Sequence, residues 1–206
     1  EAYEFTAENN IALGKTGITA GNMDGTDVFI NTNGGPRLDN LTDGGVRLKH
    51  ADDYTEIGYS KQKVKNAEGK DVYDETTKGI SYLQVDLGEK YDISEVNLIR
   101  YDQGTRIYGE TVIAIAESIE DFPESVTDND YEATVILNTD VEDETFFESS
   151  FGKGTDAVSP EETGGRRVTL GVPVTGRYIR IYVTGRGNNN RTHVVELQAW
   201  GIPSKK

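Results

Sequence analysis

The chain has no cysteine among its 206 residues. That absence removes disulfide frameworks, thiol nucleophiles, iron–sulfur clusters and Cys-based zinc sites in one step. Histidine is scarce as well, with only His50 and His193, too few for a histidine-rich metal centre. Positive charge is in short supply: 21 Lys and Arg stand against 36 Asp and Glu, for a net charge of −15. Phosphate-bearing partners reward positive charge, so nucleic acid and anionic lipid are excluded as first partners. No apolar run approaches the ~20 residues needed to cross a bilayer. No signal peptide is present and the chain opens on Glu1 rather than Met, which reads as a mature piece or a module of a larger exported protein. Catalytic signatures are missing too: there is no GxSxG, no HExxH and no phosphate loop. Paired acids of the glycosidase type are recognised only by geometry, and the chain is read as a non-enzyme.

What is present points to β structure. Gly at 23 and Tyr at 11, with few helical runs, suit a loop-rich all-β chain long enough for one domain over 1–206 and a core without staples. In Tyr82–Gly88, Leu83, Val85 and Leu87 share one face while Gln84 and Asp86 take the other, the mark of a half-buried strand stopped by Gly. Val96–Tyr101, Thr134–Leu137, Arg167–Leu170, Tyr178–Val183 and His193–Trp200 read as further strands. Val112–Ala116 is apolar on both faces and too short for a buried helix, hence an inner strand. Many short strands separated by Gly, Asn and Asp turns predict a β-sandwich or jelly roll. Helix is limited to a turn around Ile119–Ser125.

Two stretches interrupt the even spacing. Residues 45–80 and 138–165 read as long polar loops between strands, where binding usually resides. Charge is segregated along the chain: Ile107 to Gly152 holds 13 acidic residues and no Lys or Arg, whereas Lys153 to Lys206 holds nine basic and four acidic residues.

The ordered motifs Asn40-Leu41-Thr42-Asp43-Gly44, Tyr82 to Gly88, Arg177-Tyr178-Ile179-Arg180 and Val195-Glu196-Leu197 resemble the discoidin, or factor V/VIII type C, superfamily. Within it the chain is most similar to bacterial family 32 carbohydrate-binding modules and fucose-binding lectins, over roughly residues 10–201. The resemblance implies a single jelly-roll module with its ligand loops clustered at one end. It implies glycan binding of the galactose, GalNAc or fucose type, in a secreted or cell-surface multimodular protein. An adhesion domain for a protein or cell-surface ligand is the alternative.

Asn40 to Gly45 is a tight turn carrying two oxygen-bearing side chains, and Glu196 is the odd residue of an apolar final strand. Calcium takes six to eight oxygens from carboxylates, amides and carbonyls, and an inward carboxylate is costly unless paired or coordinated. The resemblance implies a structural calcium ion held by Asn40, Asp43 and Glu196 with carbonyls near Gly45 and Val195. Sugar recognition needs forked donors for adjacent hydroxyls, which Arg supplies, plus a face for the ring. Arg100 and Arg106 flank a Gly-containing turn that resembles the ligand turn of the fucose-binding lectins, with the two Arg one residue closer together here. Those lectins also use a His from the loop after the calcium turn, and His50 lies in that loop, nearer the turn than theirs. Tyr108, with Tyr54 and Tyr59, is a candidate stacking ring. Asn189 and Arg191 lie in the polar link before the last strand, at what this topology makes the same end. Trp200, the sole Trp, reads as core. Animal members of the superfamily typically clamp their termini with a disulfide, so a chain without Cys suggests a bacterial module stapled by a metal ion.

Overall fold

One strand is far too long to lie flat in a domain of this size. β6 (Ser81–Arg100) runs for 20 residues, roughly 65 Å if straight, whereas a chain of this length packs to a radius of gyration of about 17 Å. The computed structural model describes residues 9–23, 28–31, 38–46, 54–59, 63–73, 79–101, 108–125, 127–141, 148–156, 165–184 and 191–205. The other described strands are β1 (Gly17–Asn22), β2 (Val28–Asn31), β3 (Thr55–Tyr59), β4 (Lys63–Lys65), β5 (Asp71–Tyr73), β7 (Thr111–Ala116), β8 (Thr134–Asn138), β9 (Arg166–Val183) and β10 (Arg191–Pro203). Eight of them form one antiparallel hydrogen-bonded network in the order β2-β3-β10-β6-β9-β7-β8, with β1 on β6.

That network folds over on itself because β6 and β9 both break register midway. Ser81–Asp86 pairs with β1 and with Tyr178–Val183 of β9, and the latter also pairs with β7. Beyond a break between Asp86 and Tyr91, the second limb of β6 pairs with β10 and with the first part of β9. Bulges of this kind bend a strand and re-aim its side chains. The bend brings the chain close to its neighbour: a Cβ on Gly176 would fall 2.3 Å from Ile115 Cγ2. Two layers result. Leu83, Val85, Leu87, Ile113, Ile115, Ile179 and Ile181 from one pack against Ile57, Ile93, Val96, Leu98, Val194, Leu197 and Ala199 from the other. A smaller core lies on the far side of β7, where Val112, Ala114, Ala116 and Tyr182 meet Met23, Ile80, Phe122 and Phe151. The inner-strand reading of Val112–Ala116 is therefore correct, since both of its faces are dry.

The structure corrects several expectations of detail. Tyr82–Gly88 and Val96–Tyr101 are not separate strands; apart from Tyr101, they are limbs of β6. The turn signal at Gly88 marks the bend, where its N–H donates to Asp86 Oδ1 at 2.7 Å. Arg167–Leu170 and Tyr178–Val183 likewise join as β9, through a Gly- and Pro-containing bulge. The 45–80 stretch is not merely a loop: β3 inserts into the main network between β2 and β10, and β4 with β5 forms a separate hairpin. The 138–165 stretch carries one helical turn, α1 (Glu148–Phe151), held by Asn138, whose side chain donates to Phe151 O and Gly152 O and accepts from the Asp140 N–H. β1 and β2, short and poor in alternating apolar residues, have no counterpart in the sequence reading. Trp200 is buried as expected, with the Arg167 guanidinium 5.5 Å from its ring centre.

Candidate functional site

Two groups of side chains stand out, both on β10. In the first, a 3-10 turn over Leu38–Thr42 sets Leu41 into the core while Thr42 Oγ1 donates to Lys15 O at 2.8 Å. Gly44 follows with φ of +84°, a conformation that a side chain resists. This aims its N–H at Glu196, with 3.1 Å to Oε1 and 3.2 Å to Oε2. The Asp43 N–H also donates to that carboxylate, and Asp43 Oδ1 accepts from the Gly45 N–H at 2.7 Å. Glu196 is 0% exposed. Burial pushes its carboxyl up from 4.5 to about 8; the two amides pull against this, and the charge of Asp43 adds to it. No cation among the described residues contributes.

That environment fits a hard cation. The carboxylates of Glu196 and Asp43, coupled through their charges, are oxygen donors of the kind calcium accepts. Among the described residues no three His, Cys, Asp or Glu gather as a metal cluster.

The second group lies where β6 ends and β7 and β10 begin. Arg100 is 8% exposed; its Nη2 donates to Thr111 Oγ1 and its guanidinium lies 5.0 Å from the Tyr108 ring centre. Tyr108, 2% exposed, donates from Oη to Tyr101 O at 2.7 Å and lies 3.5 Å from His193 Nδ1. His193 packs edge-on to Tyr54 at 4.7 Å between ring centres, and Tyr54 in turn packs on Tyr101 at 4.7 Å. On the other side of the imidazole, Glu56 Oε1 lies 3.3 Å from His193 Nε2 and 3.4 Å from Arg191 Nη1. Burial, the largest single influence on Glu56, pushes its carboxyl up, but the hydrogen bonds and charges of His193 and Arg191 outweigh it and hold the group below 4.5.

The structure thus brings Arg100, Tyr108 and Arg191 to one pole of the sandwich. Arg100 and Tyr108 form its buried floor, whereas the Arg191 side chain is 37% exposed. His50, Arg106 and Asn189 lie outside the described residues, as does the side chain of Tyr59. Asn40, Asp43, Gly45, Val195 and Glu196 fall on the turn and strand of the first group. Sequence reasoning missed Glu56, His193, Tyr101 and Thr111. The available signal was the buried Ile57 beside Glu56, an apolar position inside a polar stretch.

No protein-family model matches the chain, and no curated protein does. Solved structures do match along almost its whole length. A fucolectin from the serum of striped bass, Morone saxatilis, is 16% identical with a TM-score of 0.52, covering 94% of this chain and 48% of its own. The lectin domain of lectinolysin, solved with Lewis B antigen, is 13% identical with a TM-score of 0.52, covering 97% and 99%. The enzyme CpGH89 from Clostridium perfringens, solved with its substrate GlcNAc-α-1,4-galactose, is 20% identical with a TM-score of 0.51, covering 96% and 15%. The chain therefore spans under half of the fucolectin's length and a small part of CpGH89. At these identities the likeness is one of fold: the chain has the β-sandwich fold of discoidin-like lectin domains, as its motifs led us to expect.

Proposed function

We propose that the chain is a non-catalytic glycan-binding module that takes galactose-, GalNAc- or fucose-type sugars at the pole built by Arg100, Tyr108, His193, Glu56 and Arg191. The observation that carries this reading is the convergence there of two guanidiniums and a ring of tyrosines, beside strand ends, on a fold used by lectin domains. A guanidinium donates to paired hydroxyls, and of the two here Arg191 is the part-exposed one, over a floor of buried tyrosines. Arg106, His50 and Asn189, which lie outside the described residues, are assigned to the site on the sequence resemblance alone.

In the same reading a structural calcium ion is held by Asn40, Asp43 and Glu196 with carbonyls of Gly45 and Val195. The ion supplies positive charge that offsets the two carboxylates and pins the turn to β10. The chain's own part is to present oxygen donors and to hold Glu196 between the Asp43 and Gly44 amides. The module belongs to a larger secreted or surface protein, with avidity gained by repetition.

A glycan array followed by calorimetry with galactose, GalNAc and fucose, with and without calcium, tests the proposal. We expect weak, saturable binding to at least one of these sugars and its loss in Arg106→Ala. An array without signal, or full binding by Arg106→Ala, would overturn it.

A further inference from the structure

We propose that Glu56 is a positioning residue for glycan binding, holding the Arg191 guanidinium in place at the ligand pole. The inference rests on the reading that this pole binds sugar, and concerns how its one part-exposed described guanidinium is oriented.

Strand register builds the arrangement. In the antiparallel pair of β10 with β3, His193 stands directly opposite Glu56, and Arg191 stands opposite Gly58. Arg191 and His193 are two residues apart, so they project from the same face of β10. Gly58 offers no side chain beside Arg191, and the diagonal neighbour, Glu56, supplies the support, well within reach of so long a side chain. One carboxylate oxygen, Oε1, serves both His193 Nε2 at 3.3 Å and Arg191 Nη1 at 3.4 Å. His193 is itself immobilised by Tyr54, Tyr101 and Tyr108 around its ring. Glu56 is thereby fixed from the buried His193 side and holds the part-exposed Arg191.

The energetic logic is preorganisation. A free arginine loses substantial rotamer freedom when a ligand captures it; a guanidinium already tethered to a buried carboxylate has surrendered much of it in advance. Glu56 also neutralises Arg191 locally, which suits a neutral polyol better than an anion.

The test is calorimetry on the intact module with whichever of galactose, GalNAc and fucose the wild type binds, comparing wild type, Glu56→Gln, Arg191→Ala and the double variant. Glu56→Gln keeps the shape and an acceptor oxygen while removing the charge that fixes Arg191. We expect its dissociation constant to rise about fivefold at unchanged stoichiometry, and Arg191→Ala to lose at least tenfold. The double variant should match Arg191→Ala within about twofold, because Glu56 acts only through Arg191. A purely structural role for Glu56 predicts instead a lower melting temperature or a reduced bound fraction with an unaltered dissociation constant, and that result overturns the inference. So does additive loss in the double variant. Arg191→Lys, a change at a part-exposed side chain, covers the case of misfolding at Glu56: it should bind as poorly as Arg191→Ala, since an ammonium cannot reproduce the fork, and wild-type affinity there also overturns the inference. Absence of binding by the wild type overturns the glycan reading itself, a distinct outcome.

Discussion

Replacing Glu196 by Gln should change how stability depends on pH by an amount set by one buried carboxylate. Glu196 is 0% exposed and its carboxyl titrates near 8 in the fold against 4.5 otherwise. The folded chain therefore binds more protons than the unfolded one across that interval. Stability of the ion-free protein must fall as pH rises, starting near 4.5 and ending above about 8. By pH 7 the accumulated cost is about 3 kcal/mol, roughly 6–12 °C of melting temperature for a domain of this size. Glutamine does not titrate, so Glu196→Gln should lack this slope. Its amide introduces its own cost of ~1–3 kcal/mol beside the Gly44 and Asp43 N–H groups, but that cost is the same at every pH. The difference between pH 4.5 and pH 7 isolates the carboxylate, and other titrating groups cancel between the two proteins. The assay is denaturant unfolding in EDTA at both pH values, repeated in calcium. In EDTA the stability gap between wild type and variant should move by about 3 kcal/mol in favour of the variant on going to pH 7. With calcium the wild type should regain that loss, more at pH 7 than at pH 4.5, while the variant gains nothing. Parallel pH curves in EDTA would refute the burial argument, and full calcium stabilisation of the variant would refute Glu196 as a ligand.

Three further outcomes follow from the geometry. Arg180 lies 4.3 Å from the Tyr82 ring centre and 4.2 Å from that of Phe122, with Nε and Nη2 both donating to Gln84 Oε1; Arg180→Lys loses the planar fork and should cost about 2 kcal/mol in chemical denaturation. Asp86 takes a two-pronged contact from Arg177 at 2.7 Å on each oxygen, and that hydrogen bonding, opposed by burial and aided by the Gly88 N–H, holds its carboxyl below 3.8. Its contribution is present above that pH and lost below it, so Arg177→Ala should lower the melting temperature at pH 7 but converge on wild type in acid scans below about 3.8. Calcium and sugar should also bind cooperatively, with EDTA weakening glycan affinity and glycan tightening calcium by the same factor; independent titrations would exclude a linkage between the two groups.

The strands that the sequence revealed are those whose apolar residues alternate toward the main core, together with Val112–Ala116, whose unbroken apolar run marks an inner strand. Leu83, Val85 and Leu87 alternate because the layer below them excludes water, and the same holds for Ile179, Ile181 and Val183. Glu196 was legible for a different reason: a carboxylate in an apolar strand is costly enough to signal a partner, while the Asn40–Gly45 turn as that partner was implied by the family resemblance. β3 was not legible. Of Thr55, Glu56, Ile57 and Gly58, only Ile57 joins the core, and the burial of Thr55 and Glu56 comes from segments far away in sequence. The Glu56–His193 pairing has no local trace, since it depends on a strand register fixed only when β3 settles beside β10. The long strands were misread as pairs because Gly and Pro signal a turn equally well at a loop and at a bulge.

A single irregularity in β10 accounts for the position of both groups. Val194, Leu197 and Ala199 all face the core between the layers, a step of three followed by a step of two. An unbroken strand would send Glu196 to the same side as Val194 and bury its carboxylate among aliphatic side chains. The register shift between Val194 and Glu196 prevents this, placing Glu196 opposite Ile99 and toward the Asp43 and Gly44 amides. The extra residue, Val195, packs with Ile99, Tyr101 and Tyr54, and Tyr54 and Tyr101 are the rings against His193. The bulge therefore aims the carboxylate at its turn and supplies the apolar wedge beneath the Arg100, Tyr108 and His193 group. Tightening the turn on Glu196 and fixing His193 act on the same cluster, so the proposed calcium ion would reach the second group through this packing.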